Sequence, residues 1–178
     1  MRGVNNMAIL KKGSVIRKPT GNEPIASIVD VQNTFSNKAL KSDFPITRGT
    51  FTPTVRGGNV VGSHTYGTRE GHYVTVGDLV IITLDVVVLT KDTNMNGGLY
   101  ISGLPFTSDF RTGLNIGRFQ NIRKSTLNHV SAVIDNGSKM IRFFGTRYDT
   151  TGAGRVSIVS DDVRDNFRTV VSGTYIKR

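Results

Sequence analysis

The 178-residue chain contains no cysteine and no tryptophan, and only five prolines. Without cysteine there can be no disulfide framework and no zinc–thiolate centre, so the fold must rest on apolar burial. No run of about 18 apolar residues occurs, so no membrane-spanning helix is expected. Met1–Leu10 has no apolar stretch of the kind a secretory signal carries. Catalytic signatures are also missing. There is no Gly-x-Ser-x-Gly elbow and no phosphate-binding Gly-x-x-x-x-Gly-Lys-Ser/Thr loop, and His64, His72 and His129 stand too far apart to suggest a triad. Asp161, Asp162 and Asp165 could hold a cation, but an acidic loop in solvent beside Arg164 and Arg168 is the simpler reading. Aromatic residues make up only 8% and form no repeating basic–aromatic ribbon, so nucleic-acid binding is discounted despite a net charge of +10.

That charge is uneven. Residues 1–48 hold eight Lys/Arg against three Asp/Glu, and residues 49–178 hold fifteen against ten, so each part carries +5. The first quarter is much the denser. Scattered Lys and Arg are ordinarily solvated surface, although a basic patch can hold phosphates or acidic glycans.

Glycine and β-branched residues are plentiful, and their order is informative. From Thr50 onward a turn signal arrives about every ten residues: Gly57-Gly58, Gly77-Asp78, Asn94 to Gly98, Asp135 to Gly137, Thr151 to Gly154. Short β-type segments lie between them: 72–76, 79–90, 99–102, 115–119, 130–134, 140–144, 156–159 and 170–176. This spacing predicts an all-β sandwich or barrel. Asn136-Gly137 predicts a type I′ hairpin turn with positive φ at both positions. In Ile81–Val88 the even residues Ile82, Leu84, Val86 and Val88 read as the core face. The odd face mixes Ile81 and Val87 with Thr83 and Asp85, which suggests partial cover by a loop or another subunit.

Residues 1–48 are predicted to be a basic leader and stem, and residues 49–178 the β-sandwich head. Ile28, Val31, Phe35 and Ala39 have the spacing of a short amphipathic helix, though an extended strip fits equally.

Three stretches taken together, Gly49-Thr-Phe-Thr-Pro-Thr-Val-Arg-Gly-Gly58, Gly71-His-Tyr-Val-Thr-Val-Gly77 and Ile101-Ser-Gly-Leu-Pro-Phe106, resemble a known domain type. They are similar to the C-terminal jelly-roll domains of phage tail spikes and of the pre-neck appendage proteins of small Bacillus podoviruses. The resemblance covers roughly residues 34–110. It implies a virion appendage made in the host cytoplasm, with a tumour-necrosis-factor-like jelly roll that forms a homotrimer. It also implies an intramolecular chaperone that drives trimerisation and folding of an upstream shaft of the same protein. Some members bind ATP and release the head by self-cleavage. Here the cleavage segment would be Ala26 to Gln32, with Ser27 as nucleophile, Asp30 as base and Gln32 orienting the attacking group. Ala26 stands where an Asn would be more apt, and Ser27 and Asp30 are equally readable as helix-capping or solvated residues. A nucleotide would need Arg/Lys side chains, of which Arg118, Arg123, Lys124, Arg142, Arg147 and Arg155 make the densest set, with Arg118, Arg123, Arg142 and Arg147 foremost; Phe119 and Phe143 or Tyr148 could stack the base, although core packing is the simpler reading of Phe143-Phe144. The rival function is a receptor-binding head that grips a cell-wall polysaccharide or teichoic acid through Tyr66, Arg69, His72 and Tyr73.

Overall fold

A computed structural model describes residues 15–17, 24–27, 45–123, 127, 129–149 and 152–178, with the side chains of 15–17, 24–27, 147–149, 152 and 153 excepted. The chain divides into two units, Met1–Pro45 and Ile46–Arg178. In the first, β1 (Val15–Arg17) pairs antiparallel with β2 (Pro24–Ser27), Val15 opposite Ser27. Ser27 therefore ends a short strand. Asp30, Gln32 and the segment read as helix or extended strip lie outside the described residues.

The second unit is all antiparallel β. Its strands are β3 (Ile46–Phe51), β4 (Thr54–Gly57), β5 (Thr65–Val76), β6 (Leu79–Thr90), β7 (Leu99–Ser102), β8 (Thr112–Ile122), β9 (His129–Ile134), β10 (Met140–Asp149), β11 (Gly152–Ser157) and β12 (Val163–Ile176). They pair in the order β3-β5-β6-β12-β8-β9-β10-β7-β4, and β11 pairs with Phe144–Asp149 of β10, beyond the Met140–Arg142 stretch that β7 takes. The two ends of this path, β3 and β4, are separated in sequence only by Thr52 and Pro53. Three residue steps span at most about 11 Å, so the sheet must curl until its ends nearly meet. The result is a jelly-roll-like sandwich. Strand β8 turns the corner, pairing with β12 through Asn115–Ile122 and with β9 through Thr112–Leu114.

The core fills the space inside this curl. The period of two in β6 is carried through as expected: Val80, Ile82, Leu84, Val86 and Val88 are all buried. They meet Phe167, Val171 and Tyr175 of β12, Ile101 of β7, Ile134 of β9, and Ile141 and Phe143 of β10. Adjacent residues of a strand point to opposite faces, so Phe143 is in the core while Phe144 lies on the outside of the sheet.

The hairpin at Asn136-Gly137 differs from expectation. Ser138 N–H donates to Asp135 C=O at 3.1 Å, and only Gly137 has positive φ, at 71°. The connection spans five residues, Asp135–Lys139, so the turn does not have to carry the strand twist in two residues and Asn136 stays in an ordinary conformation.

Candidate functional site

The three sequence stretches that stood out have structural roles. Gly49 pairs with Tyr73, and Gly71 with Phe51, across β3 and β5. A Cβ on Gly49 would come within 2.6 Å of the Tyr73 ring, and one on Gly71 within 2.6 Å of the Phe51 ring. Each aromatic thus lies over the glycine opposite it and shields its backbone, Gly49 on the end strand β3 and Gly71 on β5 beside it. Tyr73 also meets Phe106 edge-on at 5.4 Å. Tyr175 hydroxyl donates to Phe106 C=O at 3.0 Å and locks the Leu104–Phe106 corner onto β12.

Tyr66 and Arg69, two of the proposed ligand-gripping residues, are committed to closing the curl. Tyr66 hydroxyl accepts from Val55 N–H at 3.1 Å, Arg69 Nε donates to Pro53 C=O at 2.8 Å, and Arg69 Nη2 donates to Thr54 Oγ1. The Arg69 guanidinium lies 4.6 Å from the Tyr66 ring centre. They join β5 to β4, where no backbone pairing exists. His72 is exposed, and Tyr73 is half-buried. Of the four, only His72 projects freely.

The four arginines suggested for a nucleotide do not act as one set. Arg118 is exposed on β8 opposite Val170, and its Nε donates to Gln120. Arg123 follows the end of β8, where it lines an open groove with Lys91, Arg164 and Asp165. Arg142 belongs to β10, in the other half of the curl. The side chain of Arg147 lies outside the described residues. Two of the candidate base-stacking rings are also spoken for: Phe143 is fully buried, and Phe119 packs against both it and Phe167, while the side chain of Tyr148 lies outside the described residues.

The acidic cluster is used locally. Asp162 Oδ2 accepts from Val159 N–H at 2.9 Å, and Asp165 Oδ1 from Lys91 N–H at 2.7 Å. Among the described residues no three His, Asp or Glu side chains gather as a metal site. His64 accepts from Asp92 N–H at 2.9 Å through Nδ1, and burial pulls its pKa below the usual histidine value. The Asp92 carboxylate is held low by N–H donors from Asn94 and Ser63.

What remains open is the outside of the β3-β5-β6-β12 half. Cross-strand partners share a face. One row across the four strands reads Ile46, Val76, Leu79, Ile176, and the next reads Arg48, Val74, Ile81, Thr174. Ile46 is 65% exposed, Ile81 42%, and Leu79 and Ile176 37% each. The third row, Thr50, His72, Thr83, Ser172, is polar and carries no carboxylate. Farther along, Arg168 forks onto Asp85 with contacts of 3.2 and 2.5 Å. Sequence reading identified Ile81 and the mixed odd face of β6. It missed Ile46 and Ile176, which only the strand register aligns with Leu79.

No protein-family model matches the chain, and no curated protein matches it significantly. Its curled antiparallel head belongs to the architecture of jelly-roll domains. Among solved structures, the crystal structure of the Dettilon tailspike protein shares this fold with a TM-score of 0.60 and 20% identity, over 75% of this chain and 24% of that one. The chain thus spans about a quarter of the tailspike's length, and the likeness is one of fold.

Proposed function

We propose that residues 46–178 form the head of a phage tail spike or fibre, which associates as a homotrimer and so aligns the shaft of the same protein for folding. The observation that carries this reading is the exposed apolar row Ile46–Val76–Leu79–Ile176, backed by Val74 and Ile81. Four strands set it about 14 Å across. Burying such side chains removes roughly 25 cal/mol per Å² of unfavourable hydration. Two sister copies are a fitting cover, because Arg48, on the outermost strand, is the one Lys, Arg, Asp or Glu in the three outer rows, so bringing copies together opposes few like charges at the contact. The fold shared with part of a tailspike supports a tail-associated setting. A shaft of extended chains gains from a head that trimerises first, since later pairing becomes effectively intramolecular.

Sedimentation of the full chain at micromolar concentration should give a trimer, and Ile81→Glu should give a folded monomer. A wild-type monomer under those conditions refutes the assembly role. The receptor-binding alternative finds less support in Tyr66 and Arg69, whose polar atoms are already engaged within the fold.

A further inference from the structure

The open end of the β5–β6 hairpin is closed by a small polar clasp. The two strands pair from Val76–Leu79 at the turn to Thr65–Thr90, and the ladder slips twice at that far end, around Tyr66. Beyond it only loops hold the chains together. Ser63 N–H donates to Asp92 Oδ2 at 2.7 Å, and Asp92 N–H donates back to His64 Nδ1 at 2.9 Å. Farther out, Asn59 and Val60 N–H both donate to Asn96 C=O, at 3.0 and 3.1 Å, and Asn96 N–H donates to Val60 C=O at 3.2 Å. Beneath these bonds lies Met95, 1% exposed. A Cβ on Gly62 would come within 2.9 Å of both Met95 Cβ and His64 Cε1, so the loop backbone lies directly on the methionine and the imidazole. Segments held by exposed hydrogen bonds rather than by buried apolar contacts are those that open locally.

Because His64 Nδ1 accepts a hydrogen bond, the neutral ring carries its hydrogen on Nε2. Nε2 is buried and has no acceptor among the described residues. The bond from Asp92 N–H therefore fixes the ring, and it is the bond that a second ring proton abolishes. Nδ1–H would then face Asp92 N–H, donor against donor. The charged groups around the ring are few. Lys91 and Asp92 come from the loop after β6, while β4 and residues 57–63 bring backbone only. Tyr66 of β5 meets the ring edge-on at 5.9 Å, with the Arg69 guanidinium 4.6 Å from the Tyr66 ring centre. Asp165 of β12 is turned to Lys91 N–H. Burial, with Lys91, disfavours the imidazolium and outweighs Asp92 and the Val55 and Val61 backbone. The Asp92 oxygens already accept from Ser63 and Asn94 N–H, at 2.7 and 2.8 Å.

We infer that His64 is an acid-released latch: neutral, it pins Asp92 and keeps residues 58–64 against 92–97; protonated, it frees them and uncovers Met95. In the open form the ring meets water and titrates near pH 6.5, whereas the closed form resists protonation. Below pH 6.5 the open form therefore binds more protons than the closed one, and the closed form loses ground as pH falls. At neutral pH and above the latch is fully engaged. The clasp lies at the opposite end of the hairpin from Val76 and Leu79, so the inference does not depend on trimer formation.

The test oxidises the full chain with hydrogen peroxide at a series of pH values from 7.5 to 5.0. Conversion of Met95 to its sulfoxide is followed by peptide mass mapping, with half-buried Met140 as the reference for reagent strength. Relative to Met140, Met95 should oxidise several-fold faster at pH 5.0 than at 7.5. The ceiling is about thirtyfold, set by the distance from pH 6.5 to 5.0. His64→Gln offers Asp92 N–H an amide oxygen that does not titrate, and its Met95 should oxidise at one slow rate throughout. His129→Gln, at an exposed position, should keep the wild-type acceleration. Should His64→Gln leave the clasp open and oxidise fast at every pH, the wild-type acceleration is compared with the titration of the His64 ring followed by proton NMR, and the two midpoints should coincide. The proposal is overturned if wild-type Met95 oxidises equally at both ends of the range, if His64→Gln retains the acceleration, if His129→Gln abolishes it, or if the two midpoints differ.

Discussion

Tyr175 shows how one side chain joins core, corner and pH response. Its ring is 2% exposed, and its hydroxyl is tied to the Phe106 backbone. Burial pushes its pKa up to about 12, against a smaller opposing effect of the Phe106 hydrogen bond. An unfolded tyrosine ionises near pH 10. The folded state therefore retains a proton that the unfolded state loses between pH 10 and about 12. The stabilisation is complete below pH 10 and declines across that window by up to about 1.4 kcal/mol per pH unit. Tyr66 is shifted in the same direction, also by burial, and adds to the decline. Tyr175→Phe should lose about 1 kcal/mol at neutral pH through the missing hydrogen bond. Urea unfolding at a series of pH values should then show a shallower alkaline fall than wild type. Equal falls in both proteins would mean that the buried phenol is not the source.

At the scale of strands, β6 was legible because a twelve-residue β-branched run admits one reading, and its period of two placed the core correctly. The central strands β5, β8, β9, β10 and β12 were found but drawn short, since their ends carry Gly, Thr and Arg that pair without looking like strand. Within Ile46–Arg178 two strands, β3 and β4, were not read as strands at all. Glycine and Pro53 interrupt them, and both features make sense only in three dimensions. Pro53 lies where the chain leaves one end of the sheet path for the other, so no ladder N–H is needed there. Gly49 and Gly71 make room for aromatic rings from the neighbouring strand. The candidate surface was legible only in part for the same reason: Ile46 joins Leu79 through a pairing between strands remote in sequence. The Gly–aromatic exchange yields a direct test. Gly71→Ala should cost about 1–3 kcal/mol by forcing the Phe51 ring off its seat. In a Phe51→Ala background the same change should cost much less, a coupling readable in a double-mutant cycle by denaturant unfolding. Additive losses would mean that the ring and the glycine are not in contact.

For the whole molecule, charge and apolar surface act in opposite senses on self-association. The chain carries +10, so three copies repel one another at long range, and added salt screens that repulsion. The attraction proposed for the Ile46–Val76–Leu79–Ile176 row is short-ranged and is not weakened by such screening. Association that stabilises only the folded state raises the melting temperature with protein concentration. The Tm of the full chain should therefore climb over about a hundredfold range of concentration, and at fixed concentration it should climb further with moderate salt. Leu79→Glu places a carboxylate in the middle of the row while leaving the buried partner positions Val80 and Tyr175 intact. Its Tm should not vary with concentration and should equal that of wild type at high dilution. A wild-type Tm that ignores concentration would mean that the exposed row is not an interface between copies, whatever the fold has in common with tailspike domains.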